Sequence, residues 1–106
     1  MIRKAFLMEV KPGMIDKYEK VHNPIWPELH KIVKAHGAHN YSIFYHAKSS
    51  QLFGYVEIED EVRFKKREQT EVCQKWFVEM KKFLVSDPED GGKIKKDNLC
   101  EIFHVD

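Results

Sequence analysis

The sequence predicts an α+β fold whose elements run strand, helix, strand, strand, helix, strand. Three observations predict it. Residues 2–10, 39–46 and 52–59 alternate with the period of two that marks strands. Apolar residues recur at helical spacing from Met14 to His36 and again from Val72 to Leu84. Turn residues separate these stretches at Pro12-Gly13, Asn23-Pro24, Gly37 and Lys48-Ser49-Ser50-Gln51.

In chain order, Ile2, Lys4, Phe6, Met8 and Val10 alternate with Arg3, Ala5, Leu7 and Glu9. Both sets are largely apolar, as expected of a strand covered on both faces. Met14, Ile15, Tyr18, Val21 and His22 then follow one helical face. Asn23-Pro24 ends that helix, because a residue before proline is pushed out of the α region. Ile25, Leu29, Ile32, Val33 and His36 restart the period, with Gly37 placed as a C-terminal cap.

The next strand puts Tyr41, Ile43 and Tyr45 on one face and Ser42, Phe44 and His46 on the other. It returns through a hairpin to Leu52, Gly54, Val56 and Ile58. Asp60 can cap a short helix over 61–68, and Thr70 a longer one striped by Val72, Cys73, Trp76, Phe77, Met80, Phe83 and Leu84. Residues 86–98 lack periodicity and are expected to form a loop long enough to act as a lid. Leu99 to Val105 alternate again and are expected to supply the last strand.

This βαββαβ order is the ferredoxin-like split-βαβ arrangement, in residues 1–106 as a single domain. Its helices cover one face of a four-stranded sheet. The uncovered face should then be polar, yet three of the strands are apolar or aromatic on both sides. An exposed apolar patch marks an interface. Two sheets packed face to face would give a homodimeric α+β barrel.

Composition removes several functional classes. Eighteen basic residues balance seventeen acidic ones in 106, and lysines alternate with acids, as in Lys17-Tyr18-Glu19-Lys20. Nothing offers nucleic acid or a membrane surface a strong field. No apolar run approaches a membrane span. Two cysteines, with no apolar leader after Met1-Ile2-Arg3-Lys4, indicate a cytoplasmic protein with free thiols. The pair His36 and His39 lacks the carboxylate or cysteine motif of a metal site and reads as two turn histidines. No phosphate-binding glycine loop or nucleophile motif is present, so neither metal nor cofactor is expected.

What remains is a histidine among aromatic rings. Tyr18 and His22, four apart, share one side of a helix that the Asn23-Pro24 break stops and Trp26 and Pro27 brace. Histidine titrates near neutrality and suits a general acid or base. Singly, Tyr41, Trp76 and Phe77 read as ordinary core or rim residues. Together, rings, hydroxyls and one histidine fit a carbohydrate, whose C–H faces stack on rings and whose hydroxyls take polar partners.

Four blocks, Ile2-Arg3-Lys4-Ala5-Phe6, His22-Asn23-Pro24-Ile25-Trp26-Pro27-Glu28-Leu29, His36-Gly37-Ala38-His39-Asn40-Tyr41 and Val72-Cys73-Gln74-Lys75-Trp76, stand with consistent spacing along the whole chain. In them the chain resembles the L-rhamnose mutarotase family. The resemblance implies a dimeric cytoplasmic enzyme that interconverts the α and β anomers of L-rhamnose without a cofactor. It also implies His22 as proton donor, with Tyr18, Tyr41, Trp76 and Phe77 binding the sugar. The family's pattern has a second tryptophan where this chain has Phe77, which stacks but lacks the indole N–H donor. Two other readings fit an aromatic cavity on this fold. One is a small oxygenase for an aromatic or haem-like substrate, and the other a sugar-binding domain without catalysis.

Overall fold

The alternation of the first strand and the hairpin that follows the second helix make one antiparallel sheet. In a computed structural model describing all 106 residues, β1 (Ile2–Glu9) lies at its centre. It pairs on one side with β3 (Gln51–Ile58) and, through β3, with β2 (Ala38–His46). On its other side it pairs with β6 (Lys96–Leu99), giving the order β2-β3-β1-β6. This is the ferredoxin-like sheet predicted above.

The helices cover one face. They are α1 (Ile15–His22), α2 (Pro27–Ala35), the short α3 (Glu61–Lys66) and α4 (Glu71–Met80). The predicted caps are in place: Asp60 Oδ2 accepts from Arg63 N at 2.7 Å, and Thr70 Oγ1 accepts from Cys73 N at 3.3 Å. Gly37 follows α2 at φ +87°, a conformation that strains residues with a Cβ. The inward residues of β1 and β3 (Phe6, Leu52, Val56 and Ile58) are buried with Leu29, Cys73, Met80 and Leu84.

A bulge decides which side chains of β2 point inward. Ala38 pairs with Ile58 and is buried, whereas further on Ile43 pairs with Gly54 on the same inward face. Ala38 and Ile43 are five positions apart whereas their partners Ile58 and Gly54 are four apart, so one extra residue must be absorbed on β2. The register shifts between His39 and Ser42, where Asn40 takes φ +48°. The shift turns Tyr41 inward, its ring edge-on to Phe6 at 6.3 Å.

Two expectations need correction. Residues 86–98 are not a long loop. They hold β4 (Ser86–Asp87) and β5 (Lys93–Ile94), a two-stranded ribbon, and then most of β6. Nor is the last strand Leu99–Val105: its ladder to β1 runs over residues 96–99, and 100–106 form no regular element. Arg3 and Glu101 still stand opposite one another in that register, joined by an ion pair of 2.8 Å. The sequence misleads here because Lys96 and Asn98 face a cavity rather than the core. A strand wall of that kind carries no apolar alternation.

Candidate active site

The site grows from the end of α1. Tyr18 and His22 lie one turn apart, with ring centroids 4.3 Å apart. The helix stops at Asn23, whose side-chain amide donates to Glu19 O at 3.0 Å, and the Asn23–Pro24 peptide is cis. The chain then turns into α2 with Pro27 at its first position, where proline is preorganised. That turn sets Trp26 edge-on to Trp76 of α4 at 5.0 Å, and Trp76 in turn stands edge-on to His22 at 5.0 Å. His22 is therefore wedged between Tyr18 and Trp76.

The hydrogen bonds of His22 define its tautomer. Nδ1 lies 2.7 Å from the carbonyl oxygen of Tyr18. A carbonyl only accepts, so Nδ1 carries the proton. Nε2 has no protein partner and is the atom left for chemistry. Burial lowers the pKa of His22 below the ordinary histidine value, and the Tyr18 carbonyl opposes that shift. Around neutrality Nε2 therefore rests as an acceptor. Tyr18 is 5% exposed, and its hydroxyl makes no bond within the protein, yet no buried polar side-chain atom is left unpartnered. Its oxygen, like the Trp76 indole nitrogen, must therefore touch open space. Burial raises the pKa of the Tyr18 and Tyr41 phenols, so both hydroxyls stay protonated.

That open space is a cavity of about 640 Å³ between the sheet and the helices. Tyr18, His22, Tyr41, Trp76 and Phe77, the five residues singled out from the sequence, all line it. Met8, Ile43 and Met80 complete its apolar wall. The volume lies in the range of small-molecule sites. A second cavity of about 330 Å³ adjoins it, and both are lined by Phe6, Tyr41, Arg67, Glu68 and Lys96.

Three of those shared residues escaped the sequence reading. Lys96 extends from β6 with Nζ 4.3 Å above the Phe6 ring. Arg67 stacks on Phe64 at 3.7 Å and pairs with Glu68 at 3.6 Å. The one available signal was the basic run Lys93, Lys95 and Lys96, which reads as a solvated loop until its strand pairing is known. The turn histidines are tied elsewhere: His36 Nδ1 donates to Ile32 O at 2.7 Å, and His39 Nε2 meets Glu59 at 2.5 Å.

A histidine with one free nitrogen, set among rings and hydroxyls, sits here on a ferredoxin-like α+β scaffold, which sets the structural class of the protein. The family model described as L-rhamnose mutarotase matches residues 3–105. An L-rhamnose mutarotase of Opitutus terrae is 51% identical over 106 residues, covering all of both chains, and one of Pectobacterium atrosepticum is 48% identical with the same coverage. The crystal structure of an L-rhamnose mutarotase from Formosa agariphila superposes with a TM-score of 0.85 at 25% identity, again over both whole chains. This chain belongs to the L-rhamnose mutarotase family. Its likeness to an antibiotic biosynthesis monooxygenase from Nitrosomonas europaea, with a TM-score of 0.65 at 10% identity over 97% of this chain and all of that one, is one of fold.

Proposed function

We propose that the 640 Å³ cavity is where this chain, acting as one domain over residues 1–106, interconverts the α and β anomers of L-rhamnose. One observation carries the reading: His22 is wedged between Tyr18 and Trp76 with a single unpartnered nitrogen, in a cavity the other predicted residues also line. Mutarotation opens a cyclic hemiacetal, lets the aldehyde turn and closes it on the other face. It needs a proton on the ring oxygen and the loss of one from the anomeric hydroxyl. His22 is the proton carrier. The Tyr18 and Tyr41 hydroxyls bind the sugar, and Trp76 and Phe77 stack on its C–H face. No step calls for a metal or redox cofactor.

We assign a homodimer to the same reading. Paired residues Phe44, Phe53 and Leu7 form a row across the helix-free face, with Leu99 beside it. Phe44 is 66% and Phe53 40% exposed, more apolar surface than a lone sheet leaves to water. The partner sheet would cover it, as would the apolar tail around Ile102 and Phe103. No helix is long and apolar enough to cross a membrane, and both cysteines are free, which supports work in the cytoplasm.

Saturation-transfer NMR tests the reaction across L-rhamnose, L-fucose, L-lyxose and D-glucose. Accelerated anomer exchange of L-rhamnose is expected. Sugar binding without acceleration would leave a binding domain and end the catalytic reading. Sedimentation at micromolar concentration tests the dimer, and a stable monomer would overturn it.

A further inference from the structure

Ring opening moves two protons, and His22 offers one nitrogen. With Nδ1 committed to the Tyr18 carbonyl, Nε2 can serve one oxygen of the sugar at a time. The neutral form favoured by burial takes a proton on ring opening and, once charged, is the donor on ring closure, so on opening it has none to give. A second group must therefore protonate the ring oxygen. The two phenols are weak candidates, because burial makes each a poorer acid than free tyrosine. Arg67 is paired with Glu68 and does not give up its proton near neutrality.

We propose that Lys96 is the acid opposite His22: its ammonium protonates the ring oxygen while His22 Nε2 takes the anomeric proton. Lys96 lines the same cavity from the opposite wall, on the inward face of β6. It forms no ion pair or hydrogen bond, and its amine is held over the Phe6 ring at 4.3 Å, a stacking that favours the cation. Lys96 is an exposed residue of β6, and desolvation by the protein around its amine lowers its pKa below the ordinary lysine value. Arg67 and Lys4 reinforce that shift and Glu68 opposes it. Lys4 is itself paired with Glu61 at 3.1 Å, and Tyr41, Lys65, Lys81 and Lys93 also line the two adjoining cavities.

The step balances. The bond between the anomeric carbon and the ring oxygen breaks, and its electron pair leaves with the ring oxygen, which takes a proton from Lys96 Nζ. The anomeric O–H pair becomes the second bond of the aldehyde as Nε2 takes that proton. Neutral His22 and charged Lys96 become charged His22 and neutral Lys96, with no change in net charge. After the aldehyde turns, both protons return and the ring closes on the other face.

This inference rests on His22 as the proton carrier, and the test separates the two. Exchange rates and L-rhamnose affinity are measured against pH for wild type, Lys96→Met, Lys96→Arg and His22→Asn. Lys96→Met is expected to lower kcat by on the order of 10²-fold, the scale of one general acid. It should also abolish the alkaline limb of the kcat profile. Lys96→Arg should restore sugar affinity but neither the rate nor the limb, because arginine holds the charge without releasing its proton. Lys96→Met with near-native kcat and an intact alkaline limb, in a protein that His22→Asn inactivates, would overturn Lys96 alone. Exchange that survives His22→Asn would overturn the underlying assignment instead.

Discussion

The two walls of the cavity are built by different rules. The helical wall is a chain of rings, Tyr18 tilted against His22 and His22 edge-on to Trp76, with Trp26 edge-on behind it, and Tyr18 and Trp76 are also core residues. The strand wall runs from the apolar Phe6, Met8 and Ile43 of the sheet's inner face to Lys96 on the edge strand β6, where it is charged and open. The helical wall controls chemistry by burial: it lowers the pKa of His22 and raises that of Tyr18. The strand wall brings charge to the same space. The contrast shows how stability and function divide, since the helical wall is packed into the core whereas the strand wall leaves it at β6.

The sharpest way to break the contrast is at His22. His22→Ala should lower anomer exchange by about 10²–10⁴-fold, as loss of a general acid/base does, with little change in melting temperature because the residue is only half buried. Saturation-transfer NMR and thermal unfolding on the same variant check both halves. Trp76→Ala should do the opposite: a buried ring shared by core and site is lost, costing about 3–5 kcal/mol in stability as well as sugar affinity. Denaturant titration reads the first effect and calorimetry the second.

Gly54 tests the link between the walls. A Cβ there would lie 2.1 Å from Phe6 Cζ, and Phe6 is the ring beneath Lys96. Gly54→Ala should cost about 1–3 kcal/mol by overpacking and should disturb the rate through the strand wall alone. Native stability and native exchange in that variant would show that Phe6 supports nothing functional. A smaller effect is expected at residue 77. Phe77→Trp restores an indole donor at the cavity and should tighten L-rhamnose by up to about 1 kcal/mol, one net hydrogen bond, with kcat unchanged. Unchanged affinity and stability together would remove residue 77 from the sugar site.

The pH dependence of stability should separate the walls most finely. The folded-state pKa of His22 lies below the unfolded value near 6.5, so the unfolded chain binds more protons as pH falls through that range. Stability should therefore decline on acidification below about pH 6.5. The decline should be smaller in His22→Asn, as melting curves from pH 7 to 5 would show. An equal decline would mean that His22 is not desolvated by its neighbours.

The helical wall was legible because its signals are local. A helix face, a proline break and a capping threonine are written within a few residues of one another, and Tyr18, His22 and Trp76 each follow from them. Tyr41 was legible as one face of a strand, but its inward direction depends on the bulge near Asn40, which exists only in the pairing with β3. The β6 part of the strand wall was not legible at all. Residues 96–99 are polar, and nothing local distinguishes a strand that lines a cavity from a solvated loop. The apolar alternation of residues 99–105 pointed to the wrong segment, because here an apolar pattern accompanies a tail left outside the sheet.

By itself, then, the sequence determined the order of elements through α4, the two alternating sets of β1 and β3, the histidine and its aromatic neighbours. Each depends on periodicity or on turn chemistry, and both act over a few residues. Only the tertiary structure decided which nitrogen of His22 is free, which way Tyr41 points and that Lys96 shares their cavity. Those facts arise from contacts between segments tens of residues apart, where strand register and burial, rather than local preference, set the direction and the charge of a side chain.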